Sequence, residues 1–511
     1  MLGAEFKQKI VVRRGIISMK TKNNSTQNCF GCGGERPSVF VFFLITLVLM
    51  CFFETLSALD DSLKKLLRDS TGVTDDDVKS ATGKKGISLF DAYALAVQKT
   101  ERMAIEGENS IQAGERKLQA IETFLPQFSL RANKSFPKIG QSLYSLSRSS
   151  ASLYLRQPIM TGLKEVSKIK SAWSDRKIKE FQLYNTAGLL LGDVGSAYYS
   201  VLLIERDLKN NEQLLELYFK TVGELKRRVD IGRSRQSEIL RTNAQIYTLQ
   251  AQIKSLRTNL EHARLVLGTL IGIESEYNLV DTISLSDPAY SLEDMSKIVD
   301  ARWDVKTAKE QVEYAKSGVL TAYGLHLPSL YIEGSYFLYQ DQLSTPRWQS
   351  ALQTAINPSA ALANSVSGVS YKARNYYVSL GAELPIFGGD ITFAKVREAN
   401  SIKRQSDLGL SQTIRYARQD VIDSFQVWES SKIELDAYRK ALASAEENYR
   451  VVTGEYRLNL VTILDVLTTL TSLQNAKDDY ERAALQFKLN RLKVGIATNE
   501  FSGDKIRALK Q

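Results

Sequence analysis

An internal repeat with a fixed spacing constrains this 511-residue chain more than any other feature. The segment Pro158-Ile-Met-Thr-Gly returns in the second half of the chain as Pro385-Ile-Phe-Gly-Gly. The segment around Gly232 returns around Asn459, and the interval from Pro158 to Gly232 equals the interval from Pro385 to Asn459. A spacing kept to the residue over that length indicates duplicated structure. We therefore expect two copies of one supersecondary unit.

Each copy is predicted to contain very long helices. Proline is absent from 159–287 and from 386–511, and both tracts are rich in Leu, Ala, Glu, Lys and Gln. A continuous helix over 162–230 would measure roughly 100 Å. Apolar residues from Ile239 to Leu270 recur at steps of three, four or seven, which is a heptad seam that the second half repeats. Gly232 and Asn459 tolerate the left-handed backbone of a helix end, so they are expected to join the helices into antiparallel hairpins.

Alternating side chains predict two strands in each half. The pattern is clear over 329–339 and 376–384, and weaker over 128–132 and 152–156. Strands of about 10 residues with one apolar face are typical of outer-membrane barrels, although a half-buried soluble hairpin gives the same pattern. Four strands cannot close a barrel, and lipid does not tolerate open sheet edges. If these strands enter a membrane, three chains would together supply a barrel of twelve strands.

The N-terminal region has the features of a secretory signal peptide. An uncharged apolar run over 39–53 follows basic residues and precedes the small-residue exit Leu-Ser-Ala58. Met19 is an alternative start, and lipid attachment at Cys51 is disfavoured because Met50 precedes it where a small residue is needed. Beyond this leader we expect no apolar stretch long enough for a membrane helix.

The domain organisation follows from the leader and the repeat. We expect a signal region over 1–58, an N-terminal extension over 59–86, a first repeat over 87–290, a second repeat over 291–500 and a tail over 501–511. The Asp- and Lys-rich composition of the extension suggests a mobile or peripheral segment.

Composition argues against an enzyme. The chain has two histidines, His262 and His326, in unrelated contexts, and its Cys29-Phe-Gly-Cys32 motif lies upstream of the predicted cleavage position. The motifs for phosphate, metal or nucleophilic chemistry are missing, so we expect no catalytic residue, metal or cofactor. The net charge is +10, of which the leader carries +4, and the remaining charges are dispersed. Export argues against nucleic acid as a partner.

The residues resemble the TolC family of outer-membrane efflux and secretion channels over 87–498. The most specific stretch is Tyr456-Arg-Leu-Asn-Leu-Val-Thr-Ile-Leu-Asp-Val-Leu467, followed by Leu473-Gln-Asn-Ala-Lys. Further support comes from the two strand-to-helix turns, which contain Pro158, Gly162, Pro385, Gly388 and Gly389.

This resemblance implies a mainly α fold with a β-barrel portion. A homotrimer would form a 12-stranded barrel in outer-membrane lipid, continued by a periplasmic tunnel of coiled helical hairpins. It would serve as the exit duct of a tripartite efflux pump or a type I secretion system, docking a periplasmic adaptor and an inner-membrane transporter. The alternative is a periplasmic coiled-coil adaptor or scaffold, which needs no amphipathic strands of barrel length.

The resemblance also assigns roles to residues. Tyr456 matches a gate tyrosine and Asp465 an acidic residue of the narrowest aperture, while Glu238 is its counterpart in the first repeat. Thr468 stands where a second ring aspartate can occur, and Val461 where some relatives carry a latch arginine. The hairpin tips expected to dock the adaptor contain Gly232, Arg233, Ser234, Asn459, Leu460 and Val461. The segment 341–375 would be the long external loop.

The first hairpin turn is unusually basic, with arginines at 227, 228, 233, 235 and 241. These charges, together with the single aspartate ring, predict weak or absent cation selectivity. The arginines either pair with Asp465 of a neighbouring hairpin or contact the adaptor, and the sequence leaves both alternatives open.

Overall fold

The computed structural model describes residues 62–82, 86–135, 148–273, 277–281, 287–288, 294–340, 376–386, 390–458 and 460–510. The predicted signal region and the predicted external loop lie outside the described residues. Three of the predicted site residues, Gly388, Gly389 and Asn459, also lie outside them.

Helices dominate the described chain. They are α1 (62–71), α2 (Asp75–Thr82), α3 (Leu89–Lys99), α4 (Glu101–Glu122), α5 (Lys164–Asp230), α6 (Gln236–Ile271), α7 (Met295–Ala301), α8 (Trp303–Tyr323), α9 (Ile391–Arg457), α10 (Ile463–Ala497) and a final 3₁₀ segment (Gly503–Lys510). The strands are β1 (Gly86–Ile87), β2 (Gln127–Ser135), β3 (Arg148–Thr161), β4 (Asn278–Leu279), β5 (Ser329–Gln340) and β6 (Tyr376–Glu383).

The helix bounds reproduce the repeat of the sequence. Helices α5 and α9 each contain 67 residues, and they begin and end at equivalent positions of the two repeats. Helices α6 and α10 likewise begin at equivalent positions. At about 1.5 Å per residue, α5 and α9 are each about 100 Å long. The predicted pair of long helical hairpins is therefore confirmed.

The four long strands form one antiparallel sheet in the order β2-β3-β5-β6. The two strands of the first half contain 9 and 14 residues, which is longer than their weak alternation predicted. Those of the second half contain 12 and 8 residues. In the described part of this chain, β2 and β6 each pair with a single neighbour, so both outer edges of the sheet are open.

The two faces of the sheet differ in polarity. Leu130 lies opposite Leu153, and Ile332 lies opposite Leu380, so leucine and isoleucine share one face across the strands. On β6, Val378 and Leu380 of that face are 71% and 70% exposed. The opposite face carries charged and aromatic side chains. Arg131 stacks on the ring of Tyr154, and Arg156 forms an ion pair with Glu333 at 3.7 Å. This division is expected of a barrel wall, in which the apolar face contacts lipid and the charged face lines the lumen.

The densest core surrounds the middle of α5. Leu191 and Val194 are completely buried there against α3, and each such side chain contributes about 1.5–3 kcal/mol to folding. The Tyr198 hydroxyl donates hydrogen bonds to the carbonyl oxygens of Ile87 and Val280, at 3.1 and 2.9 Å. It thereby ties the short parallel pair β1–β4 to the long helix.

One prediction needs correction in this region. Residues 62–82 are not a mobile or peripheral extension, because Val73, Val78 and Ala81 are buried in the core around α5. The C-terminal 3₁₀ segment also contributes buried side chains to that core.

The expectation that no apolar stretch after the leader is long enough for a membrane helix is also wrong. By length and composition alone, α5 could cross a membrane. Half of its most apolar window is buried inside the structure, and burial in the core accounts for that apolarity.

Candidate functional site at the hairpin tips

The first hairpin ends in a Schellman turn that closes α5. The Gly232 amide donates to the Val229 carbonyl at 2.9 Å, and the Arg233 amide donates to the Arg228 carbonyl at 2.8 Å. Gly232 has a φ of +72°, the left-handed conformation that this motif requires. A Cβ added to Gly232 would meet no atom within 4 Å, so the backbone conformation and not a lack of space selects glycine here.

The second hairpin closes in the same way. The Leu460 amide donates to the Glu455 carbonyl at 3.0 Å, and this bond is the second-repeat equivalent of the bond between Arg233 and Arg228. The residue preceding Leu460, Asn459, lies outside the described residues. The duplication therefore extends to individual hydrogen bonds at the tips, but it places Arg228 in one tip and Glu455 in the other.

The structure brings the two tips together. Leu225 and Ile239 of the first hairpin pack with Tyr456 and Ile463 of the second in one buried cluster, against which Val461 also packs. The predicted tip residues Arg233 and Leu460 are exposed, and Ser234 is half-buried. The tips thus form one surface at the end of the long helices.

Tyr456 lies at the centre of this cluster and is only 8% exposed. The guanidinium carbon of Arg228 lies 4.2 Å from the centroid of its ring, within the range of a cation–π contact. The Tyr456 hydroxyl faces Ser234 without a well-formed hydrogen bond to any described residue. Burial raises the pKa of Tyr456 above its usual range, with a further rise from Glu238, while Arg228 acts in the opposite direction.

Asp465 lies elsewhere at the tip, on an exposed face at the start of α10. One oxygen of its carboxylate accepts hydrogen bonds from the Thr462 amide at 2.9 Å and from the Thr462 hydroxyl at 2.6 Å. Both bonds lower the pKa of Asp465, and the bond from the Thr462 hydroxyl has the larger effect. Thr468 is exposed one turn further along, and its hydroxyl donates to the Leu464 carbonyl at 2.8 Å. Asp465 caps its own helix and presents its charge to solvent.

Glu238 occupies the third position of α6, as Asp465 does in α10. It is half-buried and close enough to Tyr456 to influence the pKa of its hydroxyl. The two carboxylates that the repeat makes equivalent therefore have different surroundings: Glu238 is half-buried and raises the pKa of Tyr456, whereas Asp465 is exposed to solvent.

The basic turn is mostly exposed. Within the described residues, four of its arginines form no ion pair, and each is exposed to solvent: Arg227, Arg233, Arg235 and Arg241. Their charge is therefore available to a neighbouring chain or to another protein.

The first strand-to-helix turn is tightly built. Pro158 lies within β3, and Gly162 follows with a φ of +66°. A Cβ on Gly162 would collide with the carbonyl oxygen of Gly324, so the two backbones meet without side chains between them. The Thr161 hydroxyl donates to Glu165 in the first turn of α5. In the second repeat, Pro385 lies in an irregular segment after β6.

Two features of the site were missed from the sequence. The Thr462-x-x-Asp465 spacing is a capping-box pattern, so the capping role of Asp465 was available from the sequence. The contact between Arg228 and Tyr456 was not, because it joins side chains of different hairpins.

Comparisons with known proteins agree with this architecture. The sequence profile of the family described as outer membrane efflux protein matches residues 112–273 and 292–494. The outer membrane protein TolC of Escherichia coli K12 is 23% identical over 442 residues, which cover 83% of this chain and 84% of TolC. The proteases secretion protein PrtF of Dickeya chrysanthemi is 21% identical over 425 residues, covering 77% and 84% of the two chains.

Among solved structures, the open state of the Neisseria gonorrhoeae MtrE outer membrane channel superposes with a TM-score of 0.67 at 19% identity. The superposition covers 81% of this chain and 89% of that channel. A likeness at this level of identity establishes the fold, an α-helical tunnel with a β-barrel portion.

Proposed function

The chain belongs to the outer membrane efflux protein family, and from this premise we propose that three copies form the exit duct of an efflux or type I secretion system. The protein resides in the outer membrane, as the family does. Its strands lie in the lipid, and its long helical hairpins extend into the periplasm as the wall of a tunnel.

One observation gives the main support for the trimer: within the described residues, the sheet has two unpaired edges and one exposed apolar face. Unpaired backbone groups are too costly in lipid for such a sheet to stand alone. Pairing β2 of one chain with β6 of the next closes a ring of twelve strands when three chains take part. Twelve is within the range of even-numbered barrels.

The helical part supports the same assembly. Helix α9 exposes Tyr416, Ile433 and Val451 along its length, and α6 exposes Tyr247 and Leu265. Exposed apolar side chains along such long helices indicate a surface that another chain covers. Neighbouring protomers of the trimer would cover it.

The hairpin tips are the proposed docking surface for a periplasmic adaptor, which would link the duct to an inner-membrane transporter. Gly232, Arg233 and Ser234 would contribute from the first hairpin, and Asn459, Leu460 and Val461 from the second. Tyr456, Glu238, Asp465 and Thr468 would form the gate at the same end. The duct itself does no chemistry, and the transporter selects the cargo.

Paired arginine substitutions on β2 test the membrane assignment. Leu130 and Ser129 are neighbours on opposite faces of this strand. We expect Leu130→Arg to lower the yield of assembled trimer strongly, because arginine on the lipid face costs about 2–4 kcal/mol at mid-membrane. Ser129→Arg, on the lumen face, should assemble normally.

The readout is the trimer band of unheated outer-membrane extract in mild detergent, with a heated sample as the monomer reference. Equal assembly of the two variants, or a wild-type chain that runs only as monomer, would contradict the proposal. Release of the wild-type protein by a high-salt wash would favour a periplasmic adaptor or scaffold.

A further inference from the structure

Two arginines on the charged face of the sheet are each stacked on a tyrosine of the neighbouring strand. The guanidinium carbon of Arg131 on β2 lies 3.5 Å from the centroid of the Tyr154 ring on β3. The guanidinium carbon of Arg156 on β3 lies 5.0 Å from the centroid of the Tyr331 ring on β5. In both pairs the tyrosine lies diagonally across the two strands from the arginine. The same cation–π arrangement therefore occurs twice on one face of the sheet.

The two arginines differ in how their charge is balanced. Arg156 forms an ion pair with Glu333, so its charge is compensated within the chain. Arg131 is exposed, and within the described residues it forms no ion pair. Glu383 is also on this face, but it lies at the end of β6, about 13 Å nearer the helices than Glu333. Arg131 therefore carries a positive charge that no described carboxylate neutralises.

The stack fixes the Arg131 guanidinium without occupying its hydrogen-bond donors. The aromatic ring contacts the flat face of the guanidinium, whereas the N–H groups point outward in its plane. Tyr154 is only 8% exposed, so its ring is a fixed platform for the cation. A planar guanidinium with free N–H groups matches the two oxygens of a carboxylate. Arg131 is therefore held in a form that suits carboxylate binding.

Strand register decides where this group would lie in the proposed trimer. Arg131 shares its face of β2 with Ser129, which lies opposite Tyr154, while Leu130 between them is on the apolar face. The face of Arg131 would line the lumen, and three chains would place three copies at one level of the barrel. Rings of basic side chains attract anions into pores.

We propose that the three Arg131 side chains form a carboxylate-binding ring in the barrel lumen, which acidic groups of the cargo contact on their way out. The inference rests on the proposed function, since only a closed barrel turns this face into a lumen. The ring is a site of transient contact, because each guanidinium stays exposed to water.

A thiol reporter beside Arg131 tests the ring. Ser129→Cys places a thiol on the same face, and the native cysteines Cys29, Cys32 and Cys51 all lie in the predicted signal region. Purified trimers in detergent are treated with an anionic methanethiosulfonate, the sulfonatoethyl reagent, or with a cationic one, the trimethylammonioethyl reagent. The ratio of the two reaction rates measures the local potential.

We expect Arg131→Gln in the reporter background to lower the anionic-to-cationic rate ratio about fivefold at low salt. This is the effect of removing one charge about 7 Å from the thiol in water, and it should fade at about 1 M salt. Lys134→Gln is the matched control, because it makes the same change in charge on the same strand but on the opposite face. A ratio that is insensitive to Arg131→Gln, or equally sensitive to Lys134→Gln, would overturn the proposal.

Protection by citrate separates a binding site from a general field. The reagent is now the uncharged methyl methanethiosulfonate, and the ionic strength is held constant. We expect citrate to slow modification of the reporter thiol, and Arg131→Gln to raise the half-protecting concentration about fivefold, as for one exposed ion pair. Arg131→Lys keeps the charge without the planar fork, so it should preserve the rate ratio and still weaken protection about threefold. Protection by citrate that is the same in all three chains would contradict carboxylate binding.

The failure of the ring can be distinguished from the failure of the exit duct. Leu130→Cys lies on the apolar face, where detergent should shield its thiol from both charged reagents. Equal reactivity of Leu130→Cys and Ser129→Cys would contradict the barrel and with it the duct. A shielded Leu130→Cys, together with a Ser129→Cys rate ratio that ignores Arg131→Gln, would refute the ring alone.

Discussion

At the scale of single residues, Gly162 shows how the chain turns from barrel strand to tunnel helix. Its left-handed φ is shared by the next residue, Leu163, whose φ is +62° and which precedes α5. Left-handed backbone costs a residue with a side chain about 1–2 kcal/mol, so the surrounding packing holds Leu163 in place. Gly162 faces the Gly324 carbonyl at the junction of α8 and β5, where the two repeats meet backbone to backbone.

Substituting Gly162 tests this junction. We expect Gly162→Ala to lower the free energy of unfolding by about 2–4 kcal/mol, combining left-handed strain with a collision against backbone that cannot move aside. Gly223→Ala is the control, because the space around Gly223 in α5 is open and alanine favours helix. Thermal unfolding followed by far-ultraviolet circular dichroism provides the comparison. Equal stability of the two variants would contradict the close approach.

At the scale of elements, the interface between α5 and α10 contains an acidic cluster. Asp207, Asp478 and Glu481 lie around the buried Asn210, and Arg482 forms an ion pair with Asp207 at 3.7 Å. Burial raises the pKa of both aspartates, and each is raised further by a neighbouring carboxylate, Asp478 in the case of Asp207 and Glu481 in the case of Asp478. A folded-state pKa above the unfolded value means that the folded protein binds protons more tightly. Stability therefore increases as the pH falls through the raised pKa, and the cluster is destabilising at neutral pH.

Asp478→Asn should remove that cost. We expect a gain of less than about 1 kcal/mol at pH 7.5, because the cluster is partly screened by solvent. The gain should shrink as the pH falls through the raised pKa of Asp478, and it should vanish below the ordinary pKa of aspartate, where the carboxyl is protonated in the folded and the unfolded chain alike. Thermal unfolding at the two pH values measures it, with Asp479→Asn, the adjacent residue on α10, as control. A stabilisation that persists at low pH would show that charge is not its cause.

The elements themselves were largely predictable. Proline-free tracts and heptad spacing predicted the long hairpins, because helix propensity and seam periodicity are local properties of the chain. Strand lengths in the first half were underestimated, because the polar residues Lys134 and Gln157 lie on the otherwise apolar face near the ends of β2 and β3. The packing of residues 62–82 was not predicted, because their composition is highly charged and their few apolar side chains become buried only in the assembled core.

At the scale of the whole molecule, the charge of the tips bears on ion selectivity. Asp465 is exposed near the proposed aperture, whereas Thr468 adds no second carboxylate ring. In the proposed trimer, the exposed arginines of the first turn would oppose the field of a ring of three Asp465 carboxylates. We therefore expect weak or absent cation selectivity, measured as a reversal potential close to zero in a salt gradient. Strong cation selectivity would contradict this expectation, and Asp465→Asn should shift the potential toward anions.

The sequence by itself determined the repeat, the helical hairpins, the amphipathic strands and the resemblance to a channel family, because periodicity and spacing are written along the chain. Even the capping of α10 by Asp465 lay in a local pattern of sequence neighbours. The tertiary structure decided which side chains of the two repeats are in contact. It placed Arg228 over Tyr456, the acidic cluster between α5 and α10, and Gly162 against Gly324. The partners in these contacts belong to different repeats and lie far apart along the chain, so only packing brings them together.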